Sequence, residues 1–255
     1  MRITFLGTGT SQGVPTIACK CETCLSTDSK DKRLRSSILI NINDLNILID
    51  SGPDFRQQML REKIEKLDAI LFSHAHKDHI AGLDDIRAFN YTSKKAMDVY
   101  AELQVQKALK REFKYAFDQD PYPGVPKIKL HTIANKDFYV QNTRITPIRV
   151  MHFELPILGF KTGEFAYITD ANFIEDIELE KIQGIDTMVI NALRKEKHIS
   201  HYNLDEALEI IAKVKPQKAY LTHISHTMGL HCDVQNELPD NVSLAYDGLT
   251  ISIAS

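Results

Sequence analysis

The residues most able to do chemistry in this 255-residue chain are concentrated in Ser73-His74-Ala75-His76-Lys77-Asp78-His79, an HxHxDH run directly following the apolar stretch Ala69-Ile70-Leu71-Phe72. In extended backbone, residues two apart project to one side, so His74 and His76 can grip one cation. A turn after them brings Asp78 and His79 round to a second. Gathering so many titratable groups at the end of a buried strand is costly unless something binds them, which favours metal ligation over a polar loop. Two ions need further ligands, and single candidates stand at the ends of later apolar segments. His152 follows Ile148-Arg149-Val150-Met151, Asp170 follows Phe165-Ala166-Tyr167-Ile168-Thr169, and His223 follows Ala219-Tyr220-Leu221-Thr222.

A second cluster holds three of the four cysteines, Cys19, Cys21 and Cys24, in a CxCxxC run. Three thiolates leave one corner of a tetrahedral structural zinc site to be filled. His226 is the expected fourth ligand. It lies three residues beyond His223, so in a continuing strand it would face the opposite side. His231 and Cys232 are the alternatives, and Cys232 is otherwise expected to be an idle thiol. A redox dithiol at Cys21 and Cys24 would leave Cys19 unexplained and lacks a βαβ context. The third feature is His198-Ile199-Ser200-His201, downstream of Asn191-Ala192-Leu193-Arg194. A leaving alkoxide wants a proton, and either histidine can act as general acid. His201, immediately before a predicted helix, is the favoured position and His198 the alternative.

The elements that must position these residues are short. Residues 36–42 and 45–49 read as a hairpin, 54–65 as a helix, and 69–72 as a strand buried on both faces. A strand near 97–101, paired strands over 138–150, a hairpin over 160–168 turning at Gly163, and strands at 188–190 and 218–223 follow. Asn203 can cap a helix that has Asp205 and Glu206 in its first turn and stops before Pro216. Residues 242–253 read as a closing hairpin with Asp247-Gly248 at its turn. Strands come in runs with helices between them, which fits two sheets with helices packed outside. Without a linker or repeat, a single domain over 1–255 is expected, with a zinc-binding insertion around 17–26.

Hydrophobic residues make up 43% and charged residues 25% of the chain, ordinary globular usage. No run of about 18 apolar residues and no signal-peptide pattern is present, so a cytoplasmic protein without membrane contact is expected. A net charge of −3 argues against a protein whose main task is gripping long nucleic acid. The glycine-rich Gly7-Thr8-Gly9-Thr10-Ser11-Gln12-Gly13 is GxGxxxG rather than a dinucleotide fingerprint, and Pro15 follows where a helix should begin.

Taken together, these residues resemble, motif by motif, the metallo-β-lactamase superfamily of hydrolases. Asp50, in Leu48-Ile49-Asp50-Ser51-Gly52, matches the first motif, an aspartate standing one step back from the metals. The HxHxDH run matches the second, and His152, Asp170 and His223 match the third to fifth. The resemblance implies an α/β (α+β) fold, a four-layer αββα sandwich. It also implies that His74, His76 and His152 hold one divalent ion, manganese or zinc, and that Asp78, His79 and His223 hold another, with Asp170 bridging. An aspartate rather than a cysteine at the bridge resembles the phosphodiester-type hydrolases more than the antibiotic-cleaving branch.

The N-terminal glycines followed by CxCxxC are similar to the subgroup of phosphoribosyl cyclic phosphate phosphodiesterases. In that resemblance His226 joins the three cysteines on a structural zinc and His201 is the catalytic acid. The expected activity is metal-dependent hydrolysis of a small cyclic or nucleotide-like phosphodiester. Two ions about 3.5–4 Å apart would lower the pKa of a shared water from 15.7 to roughly 7 to give the attacking hydroxide. Asp78 and Asp170 would serve as catalytic ligands. A tRNA 3′-end endonuclease, a lactone or thioester hydrolase, and a non-catalytic zinc-binding relative are the alternatives. Substrate choice is expected to lie in loops such as 89–122, and a homodimer is an open possibility.

Overall fold

The computed structural model describes residues 1–118, 120 and 122–253; positions 119 and 121 of the expected specificity loop, and 254–255 of the expected domain, lie outside the described residues. In chain order the strands are β1 (Arg2–Gly7), β2 (Ser37–Ile42), β3 (Leu45–Ile49), β4 (Ala69–Leu71), β5 (Met97–Ala101), β6 (Ile128–Thr132), β7 (Phe138–Val140) and β8 (Thr143–His152). They continue with β9 (Leu155–Thr162), β10 (Phe165–Tyr167), β11 (Phe173–Ile174), β12 (Thr187–Asn191), β13 (Lys218–Thr222), β14 (Val242–Leu244) and β15 (Thr250–Ser252). One sheet runs β15-β1-β2-β3-β4-β5-β6. The other runs β11-β8-β9-β10-β12-β13-β14, with β7 paired to β8.

Three apolar clusters separate four layers. The inner one packs Ile38, Ile40, Ile47 and Leu71 of the first sheet against Leu158, Phe160, Tyr167 and Val189 of the second. Outside the first sheet, Leu39, Leu48 and Ile70 meet the helices Phe55–Arg61 and Leu103–Glu112 through Phe55, Met59, Val105 and Leu109. Outside the second, Met188, Ile190 and Leu221 meet the helix Leu204–Val214 through Ala207, Ile210 and Ile211. Successive residues of a strand point to opposite faces, so β4 sends Ala69 and Leu71 inward and Ile70 outward. That is why the stretch before the histidines is apolar without alternation. The arrangement is the expected αββα sandwich.

Asn203 caps the helix Leu204–Val214 with a full capping box: its Oδ1 accepts from the Glu206 amide at 2.9 Å, and Glu206 Oε2 accepts from the Asn203 amide at 3.0 Å. The chain end departs from expectation. Residues 242–253 are not a hairpin: β14 pairs in parallel with β13 in one sheet, while β15 pairs antiparallel with β1 in the other. Asp247 is the reason. Its carboxylate accepts from the Thr8 amide at 2.9 Å, the Thr8 hydroxyl at 2.8 Å and the Leu34 amide at 2.8 Å, pinning the segment where it crosses between sheets. No helix among the described residues is long and apolar enough to cross a membrane.

Candidate metal centre

The expected ligands arrive at one end of the sandwich because β3, β4 and β5 are mutually parallel, as are β10, β12, β13 and β14. Asp50 follows β3, the HxHxDH run follows β4, Asp170 follows β10 and His223 follows β13, while His152 ends β8. Three of them carry left-handed backbone: φ is 63° at Asp50, 60° at Asp170 and 56° at His223. An L-residue adopts that conformation at a cost, and such outliers cluster at functional sites. Here they turn the chain sharply at the strand end, so that the carboxylate or imidazole points back over the sheet edge. Gly52 makes room for the same packing, since a Cβ there would lie 2.1 Å from the Asp78 carbonyl oxygen.

The expected ligands fall into two groups, each with all its ligand atoms within 4.8 Å of one another: His74, His76 and His152, and Asp78, His79, Asp170 and His223; His152 and Asp170 also form such a group with His201. Asp170 lies between them, with Oδ2 4.0 Å from His74 Nε2 and Oδ1 3.4 Å from His79 Nε2 and 3.2 Å from His223 Nδ1. His76 is exposed, whereas His74, His79, His152, Asp170 and His223 are buried. The buried Nε2 atoms of His74 and His79 have no hydrogen-bond partner. An unsatisfied buried imidazole nitrogen is costly, and two of them aimed into a nest of carboxylates fit a divalent cation.

In His79 and His152 the other ring nitrogen is held. Asp50 accepts from the Ser73 amide at 2.8 Å and the Ser73 hydroxyl at 2.7 Å, and lies 2.7 Å from His79 Nδ1. That contact places the His79 proton on Nδ1 and leaves Nε2 free for metal. His152 Nδ1 donates to the Ser200 carbonyl at 2.8 Å, with the same effect. Ser36 Oγ lies 3.2 Å from His223 Nδ1, the same nitrogen that faces Asp170. Sequence reasoning passed over Ser36, whose only trace was a serine pair where the largely apolar β2 begins.

Electrostatics follow from that crowding. Burial pushes His223 down to about 4 and depresses His74 strongly. Burial opposes the charge on His79, but Asp170, Asp78 and Asp50 together hold it well above the usual imidazole range. Burial likewise works against ionised Asp170, yet His223 and His79 keep it well below the ordinary carboxylate range. The cluster is thus short of positive charge, which a divalent ion supplies on displacing protons.

His201 reaches this cluster from the loop preceding Leu204–Val214. Its Nε2 is 3.3 Å from Asp170 Oδ2, and its ring stacks on His223 at 4.9 Å. The loop is fixed because the Tyr202 amide donates to the Ala171 carbonyl at 2.7 Å, and Asn191 clamps Ala171 through both its amide and its carbonyl. His198 stands behind, its Nδ1 touching only His201 Nδ1 and Ser200.

The cysteine cluster forms as well. Cys19, Cys21, Cys24 and His226 gather with ligand atoms within 4.8 Å, and His226 Nδ1 is 3.4 Å from Cys19 Sγ and 3.3 Å from Cys21 Sγ. A tetrahedral zinc with bonds near 2.3 Å to sulfur and 2.0–2.1 Å to nitrogen implies an S···N edge of about 3.5 Å, so the donor set fits zinc. Burial pushes the Cys24 thiol up to about 11, whereas the contact with His226 lowers Cys21. His226 does not arrive by strand alternation: β13 ends at Thr222, and Ile224 bridges to Gly9 before the chain turns to His226. His231 is buried against Arg33, and Cys232 is exposed beside Asp233; neither joins the cluster.

A family model described as a beta-lactamase superfamily domain matches residues 45–224, more than half of the chain. A solved structure described as a new diphosphatase from the PhnP family is 38% identical, with a TM-score of 0.93 over 99% of this chain and 98% of its own. The Porphyromonas gingivalis protein named octanoyltransferase is 42% identical over 98% of this chain but only 51% of its own length. A ribonuclease Z of Exiguobacterium is 26% identical over 63% of this chain and 48% of its own. The chain therefore spans about half the length of these curated relatives. With the sandwich and the match over both sheets, these likenesses place the chain in the beta-lactamase superfamily, whose members bind divalent metals, and within it in the PhnP family.

Proposed function

We propose that this protein is a metal-dependent phosphodiesterase acting on a small cyclic or nucleotide-like phosphodiester. The observation carrying the reading is the convergence of seven possible ligand residues, Asp170 among them, with His201 Nε2 3.3 Å from the Asp170 carboxylate. His74, His76 and His152 would hold one manganese or zinc ion, Asp78, His79 and His223 another, and Asp170 both. Cys19, Cys21, Cys24 and His226 would hold a structural zinc. When bound, the paired ions supply Lewis acidity toward phosphoryl oxygens and a water acidic enough to lose its proton near neutral pH.

The chain's own residues do the rest. Asp50 fixes the His79 ring, and the Ser200 carbonyl fixes that of His152, so the ligands meet the ions without reorganising. The Ser200 hydroxyl, 3.0 Å from His201 Nδ1, can donate to that nitrogen. The proton then sits on Nε2, facing the site, from which it passes to the leaving alkoxide oxygen. The PhnP-family likeness supports a phosphoanhydride or phosphodiester substrate, because that relative is described as a diphosphatase. A net charge of −3 weighs against long RNA.

The test is hydrolysis of bis(p-nitrophenyl) phosphate after loading with manganese and separately with zinc, with Asp78→Ala as the blank. Turnover that disappears in the variant is expected. A fully loaded protein without turnover under either metal would turn attention to lactones and thioesters.

A further inference from the structure

Beside the His74-His76-His152 group lies a cavity of about 540 Å³ whose wall includes His76, His152, Phe153, Glu154, Leu155 and Ile199. Two of these are large apolar side chains left in water: Phe153 is 50% exposed and Ile199 68% exposed. Neither is there for lack of constraint. Phe153 has φ of 56°, a conformation that a bulky residue adopts only when its surroundings impose it. The two-residue turn Phe153-Glu154 between β8 and β9 calls for it, and Asn172 holds the turn: its Oδ1 accepts from the Phe153 amide at 2.7 Å, while its Nδ2 donates to the Ile199 carbonyl at 3.1 Å. One asparagine in the turn after Asp170 thus ties together the backbones of the two residues whose apolar side chains line a cavity shared with the metal ligands His76 and His152.

We propose that Phe153 and Ile199 form a clamp for the planar base of a nucleotidyl substrate, which rests on the phosphodiesterase reading above and narrows it to base-bearing diesters. The occupant must be joined to the reacting phosphorus, because the same cavity is walled by His76 and His152. A base suits an open cleft: it buries two flat faces against apolar walls while its polar edges stay in water. An alkyl chain needs enclosure on all sides, which these exposed walls do not give. Glu154 adds a carboxylate acceptor to the same cavity, matching a base that carries an amino group. Phe153 and Ile199 are specificity residues in this account.

The test is calorimetric binding of three monoesters to the zinc-loaded full chain: adenosine 5′-monophosphate, ribose 5-phosphate and n-octyl phosphate. Stacking on an aromatic side chain makes the adenosine ester about tenfold tighter than the ribose ester. Phe153→Ala and Ile199→Ala should each erase most of that ratio, and Phe153→Tyr should keep it. Equal affinity for the adenosine and ribose esters, or no binding of any of the three, overturns the proposal. Tighter binding of n-octyl phosphate overturns it in favour of an aliphatic occupant. Turnover of methyl p-nitrophenyl phosphate, measured alongside, separates the two readings: its absence under both metals counts against the phosphodiesterase while leaving a measured base preference intact.

Discussion

Asp50 touches no position where an ion would sit, yet it organises the centre, because the ring of His79 can offer Nε2 only while Nδ1 is held at 2.7 Å by that carboxylate. Asp50→Asn keeps the shape but turns one acceptor into a donor facing the Ser73 or His79 protons. The expected result is an affinity for zinc or manganese about 10–100-fold weaker, read by competition with a chelator; unchanged affinity would remove Asp50 from this role. His201 is the complementary case, a residue inside the cluster whose proton matters only when the leaving group needs it. His201→Ala should lower kcat by about 10²–10⁴ on a diester with an alkoxide leaving group, and far less on a p-nitrophenyl ester. An equal loss on both esters would show that His201 acts as a ligand instead.

At the scale of elements, the buried side chain of Arg33 shows how the N-terminal loop is fastened. It donates to Thr8 Oγ1 at 2.8 Å and the Ala245 carbonyl at 2.5 Å, and meets His231 Nδ1 at 3.1 Å. Arginine has no acceptor, so His231 Nδ1 must accept, and the ring must stay neutral. Burial, with Arg33 beside it, pushes His231 down to about 4 from an ordinary 6.5. The unfolded chain therefore binds the proton first: this contribution is complete above pH 6.5 and is lost as pH falls toward 4. His231→Asn, whose amide oxygen accepts from Arg33 without titrating, should flatten the fall in Tm between pH 7 and 4.5 relative to wild type. Parallel slopes in the two proteins would contradict the assignment.

Elements also mark where sequence reading stopped. The HxHxDH and CxCxxC runs were legible because their spacing is local, and the continuously apolar 69–72 because it separates two cores. The meeting of His152, Asp170 and His223 was legible only through the family resemblance: each is one polar residue at or just past the end of one strand, and β8, β10 and β13, which run in the same direction, bring them together. The closing hairpin failed because its turn residue, Asp247, is spent on Thr8 and Leu34, contacts more than 200 positions away that no local pattern records.

The whole molecule is two sheets that share one inner core, and the cysteine cluster lies in the loop that joins β1 to β2 of the first sheet and bridges, at Gly9, to Ile224 just beyond β13 of the second. The loop is laced to the second sheet next to a metal ligand: the Ile224 amide donates to the Thr8 carbonyl at 2.9 Å and the Thr10 amide to the Ile224 carbonyl at 3.1 Å. His223 and His226 flank that lacing. A zinc ion joining Cys19, Cys21 and Cys24 to His226 would close a loop of about 200 residues, restricting the unfolded chain much as a long-range crosslink does. His226→Ala should thus remove one equivalent of zinc and lower Tm by about 5–15 °C, as expected for a loss of about 2–4 kcal/mol in a chain of this size. Because the turn also carries His223, affinity at the active centre should weaken too, although no active-centre ligand has been changed. Metal analysis, thermal unfolding and chelator competition on the one variant read all three effects. A protein that kept its full zinc content and its Tm would show that His226 holds no structural ion, and that the assignment of this four-residue site is wrong.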